Sequence, residues 1–120
     1  MQIAVSSPVD APTSPAVLDL SDHDFAATLQ AATTPVLVDV WASWCGPCRL
    51  MAPLMQWAAT AYAGRLLVVK LEADPNPISR AACAAHGLPT LILFRDGAEI
   101  GRHEGAMARV QLQAFLDAHL

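Results

Sequence analysis

The sequence predicts an α/β fold of three layers, in which a mixed β-sheet lies between helices on both of its faces. Residues 35–41 and 66–71 are nearly continuous apolar runs, which are typical of parallel strands buried on both faces. Segments with helical spacing separate the predicted strands. Asp96-Gly97 indicates a tight hairpin turn, so the last two strands are antiparallel and the sheet is mixed. The predicted order of elements is β-α-β-α-β-α-β-β-α.

The first predicted elements follow a segment with several prolines and little to bury. We expect residues 1–15 to form a disordered tail ahead of a single domain over residues 16–120. Residues 16–20 are predicted to form a short strand. Ser21 then caps a helix that runs to about residue 32, with Asp24 in the capping-box position.

The remaining elements are placed by apolar periodicity and by the Gly, Pro and Asp residues at their ends. The expected elements are strand 35–41, helix 45–62, strand 66–71, helix 78–85, strand 90–94, strand 98–104 and a final helix from about residue 107. Pro53 falls inside the long helix and is expected to bend it, because proline removes a backbone hydrogen bond.

Composition restricts the possible functions. The chain has 120 residues, of which 54% are apolar and 15% charged, and this indicates one compact domain. The net charge is −4 and Lys70 is the only lysine, so binding to nucleic acid is not expected. The sequence shows neither a secretory signal pattern nor an apolar stretch long enough for a bilayer. We therefore expect a cytoplasmic protein that contacts neither membrane nor nucleic acid.

Cys45 and Cys48 carry the strongest functional signal. They follow a buried strand and open a long helix, and that context makes the two-residue spacing typical of a redox pair. The unpaired N–H groups and the dipole of a helix N-terminus stabilise a thiolate, so Cys45 is the expected nucleophile. Cys48 lies one turn further along the same face, within disulfide reach. Gly46 lets the backbone bend there, and Pro47 suits the first helical turn.

Two other uses of this cysteine pair are less consistent with the sequence. A zinc site needs about four ligands, and only Cys83 and four scattered histidines could add to the pair. A purely structural disulfide between adjacent turns would close a very small loop and would constrain the unfolded chain little.

Several motifs together resemble the thioredoxin family. They are Trp41-Ala42-Ser43-Trp44-Cys45-Gly46-Pro47-Cys48, the preceding Val38-Asp39, Pro53 in the long helix, and Leu88-Pro89-Thr90. The resemblance spans about residues 16–120, and each motif has the expected distance from the others. It implies the thioredoxin fold and a general protein disulfide reductase that cycles between a Cys45/Cys48 dithiol and disulfide.

The resemblance also implies the reaction partners. Cys45, followed by Gly46 and Pro47, would attack a protein disulfide, and Cys48 would resolve the mixed disulfide. Electrons would come from NADPH through a separate flavoprotein, a thioredoxin reductase, so no cofactor is expected on this chain. We expect the protein to be a monomer.

Two charged residues lie in otherwise apolar strands and need an explanation. In the resembling family an aspartate at the position of Asp39 lies beneath the cysteines, where burial would raise its pKa and let it relay a proton from Cys48. The alternative is that Asp39 faces solvent at the end of its strand. Lys70 could tune Asp39, or its long stem could reach the surface.

The resemblance further implies a docking surface for substrates. The backbone of Leu88, before a cis Pro89, would pair with an extended substrate segment. Trp44, Gly105 and Ala106 would complete an apolar patch beside the cysteines.

Some features remain open at this level. Trp57 is either an exposed contact for a partner or part of a locally repacked surface. Cys83 is either a small core residue or an exposed thiol open to modification. Two other functions also remain: an oxidant or isomerase of different redox poise, and a binding module without catalysis.

Overall fold

The structure is a computed structural model that describes residues 16–120; the tail predicted at residues 1–15 lies outside the described residues. The described chain forms five strands and four helices that alternate as predicted. The elements are β1 (Leu18–Leu20), α1 (Phe25–Ala31), β2 (Val36–Trp41), α2 (Gly46–Ala61), β3 (Leu67–Glu72), α3 (Pro77–Ala82), β4 (Thr90–Arg95), β5 (Ala98–Glu104) and α4 (Arg109–His119).

The five strands form one mixed sheet in the order β1-β3-β2-β4-β5. β3 pairs in parallel with both β1 and β2, whereas β4 is antiparallel to β2 and to β5. The hairpin at Asp96-Gly97 joins the two antiparallel strands, and both of its residues have positive φ angles, 53° and 80°. The mixed α/β sheet predicted from the sequence is therefore confirmed.

Side chains on the central strands alternate between two cores, one on each face of the sheet. On the first face Leu37, Val68, Leu91 and Leu93 pack with Met51 and Met55 of α2 and with Leu112 and Leu116 of α4. On the second face Val36, Val38, Val69, Leu71 and Ile92 pack with Phe25 and Leu29 of α1. Asp39 is two residues from Leu37, so its side chain lies on the α2 face.

The boundaries of two helices differ from the prediction. α1 begins at Phe25, because residues 22–24 form a turn ahead of it. The N-cap of α1 is therefore Asp24 rather than the predicted Ser21, and its side chain makes no cap bond to the helix. Half of the predicted capping box is present in the turn, where the Ser21 N–H donates to Asp24 Oδ1 at 2.7 Å, while the Ser21 Oγ accepts from the His23 N–H at 3.2 Å. α3 ends at Ala82 rather than at residue 85, because Ala84 adopts a left-handed φ of 53° that ends the helix.

Within residues 16–120, no helix combines the length and the apolar character that a bilayer crossing requires.

Candidate active site

The cysteine pair lies at the N-terminus of α2. Cys45 is the N-cap residue, and the Cys48 N–H donates to Cys45 Sγ at 3.2 Å. The two residues form a disulfide with their Cα atoms 5.3 Å apart, and both are buried. A sulfur that accepts a helix N-terminal N–H is favoured as an anion, because the donor and the helix dipole both attract negative charge.

Gly46 and Pro47 form the exposed turn in front of the buried sulfurs. Pro47 lies within the first turn of α2, where its missing N–H leaves no bond unmade. α2 continues through Pro53, which lies well inside the helix. The buried sulfurs are therefore approached past a short exposed turn without large side chains.

Asp39 is fully buried on the α2 face of the sheet, so it does not face solvent. It lies between Leu37, which packs under α2, and Trp41, which packs against the cysteines. No described residue donates a hydrogen bond to either carboxylate oxygen. Burial raises the pKa of Asp39 to about 7, and the positive charge of Lys70 acts in the opposite direction. Asp39 can therefore hold or release a proton near neutral pH.

Lys70 is the register partner of Asp39 on the neighbouring strand. Its Nζ lies 4.5 Å from the centre of the Trp41 ring, in a cation–π contact, and it forms no ion pair with Asp39. Lys70 also lines a cavity of about 270 Å³ that reaches Cys48. The other lining residues are Trp41, Ala42, Ser43, Arg49 and Ala52. Lys70 is thus half-buried beside Trp41 and this cavity, and its charge acts on Asp39 without an ion pair.

Two loops meet beside the cysteines. Leu88 is joined to Pro89 by a cis peptide bond and packs against the cluster formed by Ala42, Cys45 and Cys48. The Gly105 N–H donates to the Pro89 carbonyl at 2.7 Å, which ties the second loop to the first. Gly105 has a φ of 100°, a backbone region that favours glycine. Together these contacts bring the predicted docking residues to the same side of the molecule as the sulfurs.

Exposed apolar side chains surround this region. Trp44 is 65% exposed and Leu50, on α2, is 66% exposed. Leu50 also lines an open groove of about 430 Å³ with Ala106 and Met107. The sequence analysis did not identify Leu50, although its position two residues after Cys48 on a helix would have placed it near the pair.

Asp74 and Arg80 were also missed from the sequence. The Trp44 indole N–H donates to Asp74 Oδ2 at 2.7 Å, and an Arg80 nitrogen lies 3.9 Å from Asp74 Oδ1. Asp74 follows β3 and Trp44 follows β2, and the carboxyl ends of parallel strands share one edge of the sheet. That rule could have placed Asp74 near the cysteines.

Two residues left open by the sequence have structural positions. Cys83 is 4% exposed in the core on the α1 face, and burial raises the pKa of its thiol to about 11. Trp57 is half-buried against the core, with its ring edge-on to Tyr62 and the Arg109 guanidinium 4.7 Å above it. Neither residue contributes to the cysteine site.

A comparison with protein-family models matches residues 16–118 to the thioredoxin model. The chain belongs to the thioredoxin family. Members of this family need no bound cofactor, and no group of side chains in residues 16–120 could hold a metal ion. With its close cysteine pair, the chain is a thiol–disulfide oxidoreductase.

Curated relatives match over nearly their whole length. A thioredoxin-like protein of Synechocystis is 47% identical over 104 residues, covering 87% of this chain and 95% of the relative. The thioredoxin of Acidithiobacillus ferridurans is 44% identical, covering 89% of this chain and 99% of the relative. The thioredoxin of Pseudomonas aeruginosa is 41% identical, covering 87% and 96%.

Proposed function

We propose that this protein is a general protein disulfide reductase. The observation that carries the proposal is the N–H of Cys48 donating to Cys45 Sγ at the start of α2. A donor in that position stabilises the Cys45 thiolate, which attacks one sulfur of a substrate disulfide. A mixed disulfide forms, and the other substrate sulfur leaves as a thiolate that takes a proton from water.

Resolution of the mixed disulfide is the role we assign to Cys48. Its thiol transfers a proton to the Asp39 carboxylate, directly or through water, and the resulting thiolate attacks Cys45 Sγ. The Cys45–Cys48 bond forms, the bond to the substrate breaks, and the substrate leaves with two electrons gained. The raised pKa of Asp39 supports this assignment, because a base with a pKa near working pH transfers protons most effectively.

Substrate docking is proposed for the surface around Trp44, Leu88, Pro89, Gly105 and Ala106. The exposed apolar ring of Trp44 beside the buried sulfurs supports this proposal.

Return of the Cys45–Cys48 disulfide to the dithiol is assigned to a flavoprotein reductase that draws on NADPH. We further propose that residues 16–120 form the catalytic domain and that the protein acts as a cytoplasmic monomer.

Cysteine variants test this function. With NADPH and a bacterial thioredoxin reductase, the protein is expected to reduce the disulfides of insulin, and Cys45→Ser is expected to abolish turnover. Cys48→Ser retains the attacking thiolate but lacks the resolving one, so it should accumulate mixed disulfides on Cys45. The matched control is Cys83→Ala, which removes the third cysteine away from the site and should retain turnover. Turnover by Cys45→Ser, or failure of Cys48→Ser to form adducts, would contradict the proposed roles.

The other candidate is an oxidoreductase of different redox poise, because one relative is named only as thioredoxin-like. The midpoint potential of the Cys45/Cys48 pair, titrated against glutathione, separates the two. A potential well below that of the glutathione couple supports the reductase, and one above it supports an oxidant.

A further inference from the structure

Arg80 connects the segments around Trp44 and Pro89, although no step of the reaction proposed above uses it. We propose that Arg80 is a positioning residue that sets the turn before Leu88 and, through Asp74, the orientation of Trp44. In this arrangement the protein docks protein disulfides more effectively than it would without Arg80. The inference rests on the proposed reductase function and adds a determinant of its preference for protein substrates.

Arg80 holds Ala85 from two sides. The Ala85 N–H donates to the Arg80 backbone carbonyl at 3.2 Å, and the Arg80 side-chain Nε–H donates back to the Ala85 carbonyl at 2.9 Å. A second guanidinium nitrogen donates to the His86 carbonyl at 3.4 Å. One side chain on α3 therefore satisfies two successive carbonyls of the turn that leads to Leu88.

The third guanidinium nitrogen lies near Asp74 instead of the turn. It lies 3.9 Å from Asp74 Oδ1, while Asp74 Oδ2 accepts the Trp44 indole N–H at 2.7 Å. Trp44 is 65% exposed, so this hydrogen bond gives a direction to a ring that would otherwise rotate in solvent. A continuous set of contacts thus runs from Trp44 through Asp74 and Arg80 to Ala85.

The turn held by Arg80 is adjacent to the docking surface. At its far end the Thr90 hydroxyl donates to the Gly87 carbonyl at 2.6 Å, and between these two attachments Leu88 packs against the cysteines. Without the Arg80 side chain the Ala85 and His86 carbonyls would lose these donors, and the last part of the turn would depend on the Ala85 N–H, on Arg102, which donates to the Cys83 and Ala84 carbonyls, and on Thr90. Displacement of Leu88 would then misalign the backbone that we assign to substrate pairing.

The geometry of Arg80 matters more than its charge. The Arg80 and Asp74 side chains are 31% and 54% exposed, and exposed ion pairs contribute little to stability. A planar guanidinium, however, can donate in three fixed directions, which a lysine ammonium on a flexible stem cannot reproduce. An open groove of about 380 Å³ also lies over these contacts, lined by Asp74, Arg80 and His86 among others. A protein substrate is large enough to lie over this groove, whereas a small disulfide contacts only the Cys45 sulfur.

Arg80→Ala tests the inference by steady-state kinetics with two substrates. For insulin, KM is expected to rise roughly three- to tenfold at unchanged kcat, the range that one or two net hydrogen bonds represent. The rate constant for a small aromatic disulfide should stay within about twofold of wild type, because it needs no docking surface. The matched control is Arg95→Ala, which removes an equal charge and a bond to the His119 carbonyl away from the site. An unchanged KM for insulin, or an equal loss with both substrates, would overturn the inference.

A spectroscopic readout keeps the two proposals separate. The Trp44 indole N–H resonance, assigned by its loss in Trp44→Phe, should shift in Arg80→Ala and stay in place in Arg95→Ala. A wild-type protein that fails to reduce insulin would contradict the proposed function, whereas an unmoved Trp44 resonance would contradict only the role of Arg80. If Arg80→Ala does not fold, Arg80→Lys keeps the charge and should still raise KM for insulin; an unchanged KM in that variant overturns the inference.

Discussion

Asp39 and Asp74 each have a tryptophan and a cation nearby, but one carboxylate is buried and the other is exposed. The inner carboxylate, Asp39, is fully buried and accepts no hydrogen bond from residues 16–120. The outer carboxylate, Asp74, is half exposed, and one of its oxygens accepts the Trp44 indole N–H at 2.7 Å. The inner cation, Lys70, contacts Trp41 rather than the carboxylate. At the outer carboxylate the aspartate contacts the tryptophan, whereas at the inner one the cation does so.

The difference shows that burial, and not the presence of a nearby cation, decides what a carboxylate does here. Because Asp39 is buried and no described residue donates to it, the charged form of Asp39 is disfavoured and its pKa rises to about 7. Asp74 has solvent and a donor, and it serves to orient an exposed ring. Asp39, on the inner side of the site, can therefore take up or release a proton, while Asp74, on the outer side, fixes the orientation of the Trp44 ring. Four variants test this comparison.

Asp39→Asn should have the largest effect on stability. The folded-state pKa of about 7 lies above the ordinary value of 3.8, so the folded protein keeps a proton that the unfolded chain loses. The free energy of unfolding therefore falls as pH rises from about 4 to about 7, by at most ~4 kcal/mol. Asparagine cannot ionise, so the oxidised variant should be more stable than wild type above about pH 7 and equal to it below about pH 4. Urea unfolding across this pH range measures the difference.

The same variant has a kinetic consequence. Asp39→Asn should slow the resolution of a mixed disulfide more than the initial attack, because only resolution requires the Cys48 proton to leave. Single-turnover kinetics separate the two steps. A stability difference that does not vary with pH, or equal slowing of both steps, would show that the inner carboxylate does not control protons.

Lys70→Met tests the inner cation. The positive charge of Lys70 lowers the pKa of Asp39, so its removal should move that pKa above about 7. A carboxyl carbon titration by NMR measures the shift directly, and Lys70→Arg is the control that keeps the charge. If the pKa of Asp39 is the same in Lys70→Met and wild type, the lysine serves only to cover Trp41.

Ala84→Gly tests the backbone on the outer side. Ala84 has a φ of 53°, where a side chain is strained and glycine is not. Relief of the strain, less the entropy that glycine loses on folding, should stabilise the protein by about 0.5–1 kcal/mol. Ala81→Gly, in the regular helix α3, should instead destabilise it by a similar amount. Chemical denaturation measures the free energy of unfolding of both variants. If the two substitutions change it in the same direction, the backbone at Ala84 is not strained.

Asp74→Asn should have the smallest effect on stability. Its side chain is 54% exposed, and the loss of such a charge changes the free energy of unfolding by about 0.5 kcal/mol or less. Urea unfolding of Asp74→Asn beside wild type provides the measurement. A change of more than about 2 kcal/mol would mean that Asp74 is as sensitive to substitution as a buried carboxylate and would remove the distinction between the two sides.

Features that depend on local pattern could be predicted from the residues alone. The spacing of Cys45 and Cys48 at the start of a helix follows from residues close in the chain, and so do the apolar strands and the hairpin at Asp96-Gly97. Helix ends were less well predicted, because the end of α3 depends on the left-handed conformation of Ala84, which alanine adopts only when its surroundings impose it.

Tertiary structure alone decided the environment of each carboxylate. Asp39 and Lys70 are register partners, yet packing directs the lysine to Trp41 and leaves the aspartate without a donor. Trp44 and Asp74 are 30 residues apart, and the hydrogen bond between them depends on where the loops after two strands meet. Such contacts require segments far apart in the chain to be placed to within a few tenths of an ångström of each other's correct position. No local pattern of residues specifies that placement.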